Sequence, residues 1–337
     1  MLQVTFAVNP IMNQEKKANV SFMEADSRGT AAGGIIHEVG LRDGLQVEKA
    51  SVPWEEKLSW IDALMDSGVD IIQLGSFVHP EKVPQMADTD RLFSHFQQHG
   101  KKNGRVVLSG LVLNEKGLDR GLACGVELFC MGVSASETHS RKNTGMGTAE
   151  ACERIIAMAK KATATGKQVQ VSVQSAFGCG FEGEIPSERV LGIVKRYLEA
   201  GLRQISLADT AGHAQPFQVE ALYEQIRGLE PETQLACHFH NTYGLGLANC
   251  IAALRSGVRS FEVAFGGLGG CPFTKVPAGN VSTEDLVHTW QRLGLRRDIR
   301  LDRLLELSRQ LATFFNRGLP GLVSRAGSIV DFKPKIN

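Results

Sequence analysis

The stretch Leu235-Ala236-Cys237-His238-Phe239-His240-Asn241-Thr242-Tyr243-Gly244 reads as a buried strand that runs out into a loop. Its apolar start carries no helical period, whereas 244–256 takes one up directly afterwards, so the two histidines sit where strand gives way to loop. Side chains two apart in a strand point to the same side. His238 and His240 can therefore aim both imidazoles at one divalent cation, a role that suits imidazole. Two polar rim residues would give the same H-x-H pattern, so the surrounding chain has to separate the two readings.

The same strand, loop and helix order recurs outward in both directions. Short apolar runs at 34–38, 70–74, 105–111, 126–131, 168–174, 204–208, 234–238 and 260–264 alternate with helical periods at 54–67, 89–98, 115–123, 148–165, 186–200, 216–228, 244–256 and 283–293. Parallel sheets with crossover helices require this alternation. Eight such units over roughly 250 residues match a TIM (β/α)8 barrel, an α/β fold. A doubly wound open sheet is the competing arrangement, but no Gly-x-Gly-x-x-Gly follows the first run. The expected organisation is a flexible N-terminal extension over 1–34, a barrel over 35–295, and an extra C-terminal helix with a tail over 296–337.

Composition bounds the function. The 337 residues are 43% hydrophobic, and 37 basic against 36 acidic side chains give a formal net charge of +1. That balance removes a global electrostatic case for nucleic acid or an anionic membrane surface. No apolar run approaches the roughly 20 residues of a membrane span, and the start lacks the apolar region of a signal peptide, so a cytoplasmic protein is expected. Seven cysteines show no C-x-x-C spacing, and most read as reduced core residues.

Active sites of such barrels lie at the C-terminal ends of the strands. The first strand runs into Glu38-Val39-Gly40-Leu41-Arg42-Asp43-Gly44-Leu45-Gln46, where a carboxylate can reach a metal beside a guanidinium; a local ion pair is the plainer alternative. Gln73 and Ser76, after the second strand, can orient a substrate or satisfy loop backbone. Asp209 can transfer a proton, support a ligand or cap the helix before Pro216. After the eighth strand, Phe265-Gly266-Gly267-Leu268-Gly269-Gly270-Cys271-Pro272-Phe273 makes a glycine loop with a thiol at its tip. Asn280 offers a neutral oxygen ligand, or a cap for the helix that follows.

Together, the Glu38 to Gln46 stretch, the His238-Phe239-His240 pair, and Gly269-Gly270-Cys271-Pro272-Phe273 with Gly279-Asn280 resemble 3-hydroxy-3-methylglutaryl-CoA lyase, of the metal-dependent TIM-barrel lyases and Claisen-condensing enzymes. The resemblance covers about 35–293, and the glycine-cysteine loop points to the lyase branch. It implies that Asp43, His238, His240 and Asn280 hold a divalent cation, Mg or Mn, and that Arg42 stabilises the developing enolate oxygen. Cys271 becomes the catalytic thiol of a mobile loop, with Asp43 or His238 as base and Asp209 as a further catalytic residue. Ser76, Ser206 and Gln46 join Arg42 as substrate-binding positions. An acyl-CoA substrate, retro-Claisen cleavage to acetyl-CoA and a 3-oxo acid, a place in leucine breakdown and ketone-body formation, and a homodimer are the corresponding expectations.

The chain departs from the family pattern at three places. Gln73 stands where the lyases carry glutamate, Asn241 where aspartate is usual, and Lys275-Val276-Pro277-Ala278 replaces smaller residues. An amide for a carboxylate removes one negative charge near the cation, which can shift substrate preference. Two rivals follow: a condensing synthase of the isopropylmalate or homocitrate type, against which the short stretch after 293 speaks, and a metal-binding barrel without catalysis.

Overall fold

The computed structural model describes residues 33–102, 104–270 and 279–329. Among these, eight parallel strands close into a barrel in chain order: β1 Ile35–Glu38, β2 Ile71–Ser76, β3 Val107–Leu111, β4 Leu128–Ser134, β5 Gln168–Gln174, β6 Gln204–Asp209, β7 Gln234–Phe239 and β8 Ser260–Val263. The seam is made by β1 and β8, with Ile36 opposite Phe261 and Glu38 opposite Val263. The helices are α1 Trp54–Ser67, α2 Thr89–His99, α3 Glu115–Cys124, α4 Glu137–Thr144, α5 Thr148–Ala164, α6 Ser187–Glu199, α7 Pro216–Leu229, α8 Gly246–Arg255, α9 Thr283–Arg292, α10 Leu301–Phe314 and α11 Val323–Ala326. The fold is the TIM barrel that the alternating pattern predicts.

Strand alternation sorts the interior into two zones. On β5, Val169, Val171 and Val173 join the apolar core, whereas Gln170, Ser172 and Gln174 line the barrel's inner cavity. The apolar core therefore lies between sheet and helices. Trp60 of α1 is 1% exposed and meets Phe265 of the β8 loop edge-on, ring centroids 6.1 Å apart, and Phe314 of α10 at 5.3 Å. Burying an aromatic side chain of this size is worth about 1.5–3 kcal/mol, so α10 is bound into the barrel's shell.

Two differences from the sequence reading have local causes. The helix α4 is additional; its eight residues, Glu-Thr-His-Ser-Arg-Lys-Asn-Thr, offer no apolar stripe, and it is held instead by its ends. Ser136 accepts a hydrogen bond from His139 N, and Gly145 closes the helix with φ 77°. Gly33 and Gly34, expected to finish a mobile extension, are buried, and the Gly34 carbonyl accepts a 2.7 Å bond from Arg296. Residues 1–32, Cys271, the 275–278 stretch and the end of the tail lie outside the described residues.

Candidate metal centre and active site

The polar groups at the strand ends converge on a cavity of about 410 Å³ at the barrel's C-terminal mouth. Arg42, Asp43, Gln46, Gln73, Ser76, His238 and His240 are all in its wall. A tight helical turn over Gly40–Gly44 follows β1 directly, with Asp43 N bonded to Val39 O at 2.8 Å, and places adjacent Arg42 and Asp43 on the same cavity. His238 is the fifth residue of β7 and His240 lies one step beyond its end, so the two share a side as period two requires. Asn280 arrives by a return of the chain: the segment after the glycine loop pairs with the end of β7, bridging Asn280 to His240 in antiparallel fashion. Asn241 N bonds Gly279 O at 2.9 Å, and Val281 N bonds Phe239 O at 3.1 Å.

The result is a compact donor set. His238 Nε2 and His240 Nε2 are 3.2 Å apart and lie 3.8 and 3.6 Å from Asp43 Oδ2. All three side chains are buried, and one ligand atom from each falls within 4.8 Å of the others. One carboxylate and two imidazoles suit a divalent cation such as Mn or Zn, and a carboxylate suits Mg. Asn280 joins the group with Nδ2, which donates to Asp43 Oδ2 at 2.8 Å and to Leu268 O at 2.9 Å, while its Oδ1 is buried without a hydrogen-bond partner. A buried carbonyl oxygen left unpaired is costly, and half a turn of the amide would offer that oxygen to an ion. Gly269, with φ 106°, passes so close that a Cβ there would sit 2.5 Å from Asn280 Nδ2; only glycine fits.

The charges are fixed by short contacts. Arg42 donates through Nε to Gln73 Oε1 and through Nη1 to Asp43 Oδ1, and Gln46 Nε2 donates to the same Asp43 oxygen at 3.1 Å. Burial works against an ionised Asp43, but Arg42, the hydrogen bond to His240 and the nearby imidazoles outweigh it and hold the carboxyl well below its ordinary range. Arg42 therefore presents fixed positive charge to the cavity.

Two expected site residues are engaged elsewhere. Ser206 is fully buried and not in the cavity wall, and its hydroxyl donates to Glu262 Oε1 at 2.8 Å. Asp209 spends its carboxylate on the loop after β6, accepting from His213 N at 2.8 Å and Ala214 N at 3.1 Å. It shapes that loop, while Gln215 caps α7. Ser76 does line the cavity. Cys271 lies outside the described residues. Conversely, Glu262 on β8, Gln170 on β5 and His37 on β1 form a polar floor that the sequence reading passed over. The signal was available: each is a polar residue inside a short strand whose neighbours include buried apolar side chains.

A closed barrel that gathers a carboxylate, two imidazoles and a guanidinium at its catalytic end belongs to the class of TIM barrels built to hold a divalent cation beside fixed positive charge. The HMGL-like family model matches residues 34–311, and the chain belongs to that family. It is 35% identical to hydroxymethylglutaryl-CoA lyase YngG of Bacillus subtilis over 285 residues, 85% of this chain and 94% of that enzyme. Identity to (R)-citramalyl-CoA lyase of Chloroflexus aurantiacus is 36% over 300 residues, 87% of this chain and 95% of that one. Among solved structures, an HMG-CoA lyase from Acinetobacter baumannii in complex with coenzyme A and 3-methylmalate superposes with a TM-score of 0.82 at 36% identity, covering 89% of this chain and 97% of that one.

Proposed function

We propose that this chain cleaves 3-hydroxy-3-methylglutaryl-CoA to acetyl-CoA and acetoacetate. The observation that carries the reading is the Asp43, His238 and His240 cluster with Arg42 on one cavity wall, in a chain whose curated relatives named above are carbon-carbon lyases. In the cleavage, the C3 hydroxyl loses its proton and its C–O bond becomes a ketone as the C2–C3 bond breaks. The electron pair passes to the thioester as an enolate, which a proton then quenches at C2. A divalent cation held by Asp43, His238, His240 and Asn280, Mg or Mn, would lower the pKa of the hydroxyl and orient it. Arg42, immobilised by Gln73 and Asp43, stabilises the enolate oxygen because its charge is in place before the charge develops. Asp43 takes the hydroxyl proton, because His238 would hold the cation through one ring nitrogen and has the other on Glu262, and Cys271 returns a proton to the enolate. Such products fit leucine breakdown and ketone-body formation. We assign the chain to the cytoplasm and to a homodimer; sedimentation of the purified protein checks the dimer, and fractionation of cells the location. Among the described residues, no helix is long and apolar enough to cross a membrane.

A second substrate has a specific observation behind it. The citramalyl-CoA lyase is as similar as the hydroxymethylglutaryl-CoA lyases, and Gln73 brings a neutral amide to Arg42. Citramalyl-CoA differs in carrying its carboxylate directly on the carbinol carbon, and its cleavage yields a 2-oxo acid in place of a 3-oxo acid. Purified protein with Mg or Mn, offered each thioester, decides between them by the acid released. The expected result is acetoacetate with the faster turnover; cleavage of neither thioester by metal-loaded protein would sink the lyase reading.

A further inference from the structure

Beneath the donor set, the side chain of Glu262 meets His238 on its face away from the cavity mouth. His238 Nδ1 lies 3.0 Å from Glu262 Oε2. The other oxygen, Oε1, accepts from Gln170 Nε2 at 2.7 Å and from Ser206 Oγ at 2.8 Å. Glu262 is only 7% exposed and has donors on both oxygens, so its carboxylate has one rotation open to it. A carboxylate can only accept, and Nδ1 must therefore carry the proton. That leaves the lone pair on Nε2, the atom 3.2 Å from His240 Nε2 and 3.8 Å from Asp43 Oδ2.

We propose that Glu262 is a positioning residue which sets the tautomer and ring orientation of His238 for cation binding, with Gln170 and Ser206 locking Glu262 in turn. The inference deepens the proposed metal centre and rests on it. Three strands, β5, β6 and β8, thus determine how a fourth, β7, presents its ligand. Outer partners of metal-bound histidines commonly govern affinity by 10–100-fold.

The test uses the full chain with Glu262→Gln and Ser206→Ala. Titration with Mn, followed by its electron paramagnetic resonance, is expected to show a Kd raised about 10–100-fold in E262Q and a few-fold in S206A, with the melting temperature of the metal-free proteins little changed. Independently, 15N spectra of histidine-labelled, metal-free protein at alkaline pH should report Nδ1–H for His238 in the unmodified chain and a shift toward Nε2–H in E262Q. Unmodified protein that binds no Mn would refute the metal centre, while the 15N spectra still judge Glu262. Mn binding equal in all three proteins, or an Nε2–H tautomer of His238 in the unmodified chain, would overturn the role of Glu262. Should E262Q not fold, S206A and the spectra of the unmodified chain test the same role.

Discussion

Asp43 concentrates the residue-scale physics. Its two oxygens are shared among Arg42, Gln46, Asn280 and the imidazole pair. Asp43→Asn keeps the shape but replaces an anionic acceptor with a group that also donates. It should raise the Kd for Mn at least 100-fold and abolish cleavage while leaving the circular dichroism spectrum intact; calorimetric titration and a turnover assay check both. Gln73 accepts from Arg42 through Nε. Gln73→Ala leaves the guanidinium held by Asp43 at Nη1, so kcat should fall by up to roughly 100-fold, the low end for loss of a preorganised donor, while KM changes little. Steady-state kinetics separate the two, and a change confined to KM would contradict the assignment. Arg42, Asp43, His238 and His240 were legible in the sequence because strand alternation and glycine-flanked loops force their directions. Ser206 and Asp209 were not, because a polar residue at a strand end can face substrate, floor or loop backbone with equal ease. Which it does depends on partners far along the chain or on the loop's own curvature.

At the scale of elements, two buried glutamates brace the start of the β8 glycine loop. Glu38, at the end of β1, accepts from Gly40 N at 2.6 Å, Phe265 N at 3.1 Å and Thr283 Oγ1. Glu284, in the first turn of α9, accepts from Gly266 N at 3.0 Å and Ser308 Oγ at 2.9 Å. Burial outweighs these donors and pushes Glu38 up to about 8 and Glu284 up to about 7. Both therefore hold a proton in the folded chain at pH values where an unfolded chain, titrating near 4.5, has released it. Their contribution to stability is complete below about 4.5 and is lost as pH rises toward 8. Metal-free protein should melt at progressively lower temperature between pH 5 and 8.5, and Glu38→Gln, which mimics the protonated acid, should flatten part of that decline. Calorimetry across the pH range checks it, and an unchanged slope in E38Q would remove Glu38 as the cause. The boundaries of α1 and β5 were readable because apolar period and flanking glycine or proline agree there. The approach of 279–281 to β7 was not, since nothing local in Gly279-Asn280-Val281 announces a partner strand.

At the scale of the molecule, Arg296 ties the end of the barrel to its beginning. It is 3% exposed and bonds Gly34 O at 2.7 Å, Asp70 Oδ2 at 2.6 Å and Asp298 Oδ2 at 3.0 Å. Its partners Asp70 and Asp298 keep 36% and 58% of their side chains exposed and stay solvated without it, so the cost falls on the stranded Gly34 carbonyl, about 1–3 kcal/mol. Arg296→Ala should lower unfolding free energy by that order in a denaturant titration, with the metal Kd unaffected because the site lies at the opposite mouth. The expected division of the chain at 295 and 296 does not mark a structural break: α10 packs on α1 through Phe314 and Trp60. The eightfold repetition made the architecture readable from sequence, whereas the staple joins positions more than 200 residues apart.

The ligand set also dictates a timetable. Asp43 is made early, the histidines in the seventh unit and Asn280 only after the eighth strand. A chain still emerging from the ribosome with seven units has both imidazoles yet lacks Asn280 and the β8 face that carries Glu262. On the proposed ligand set, ion capture at full strength would need the closed β1–β8 seam, so a chain cut before β8 should bind Mn more weakly than the full chain.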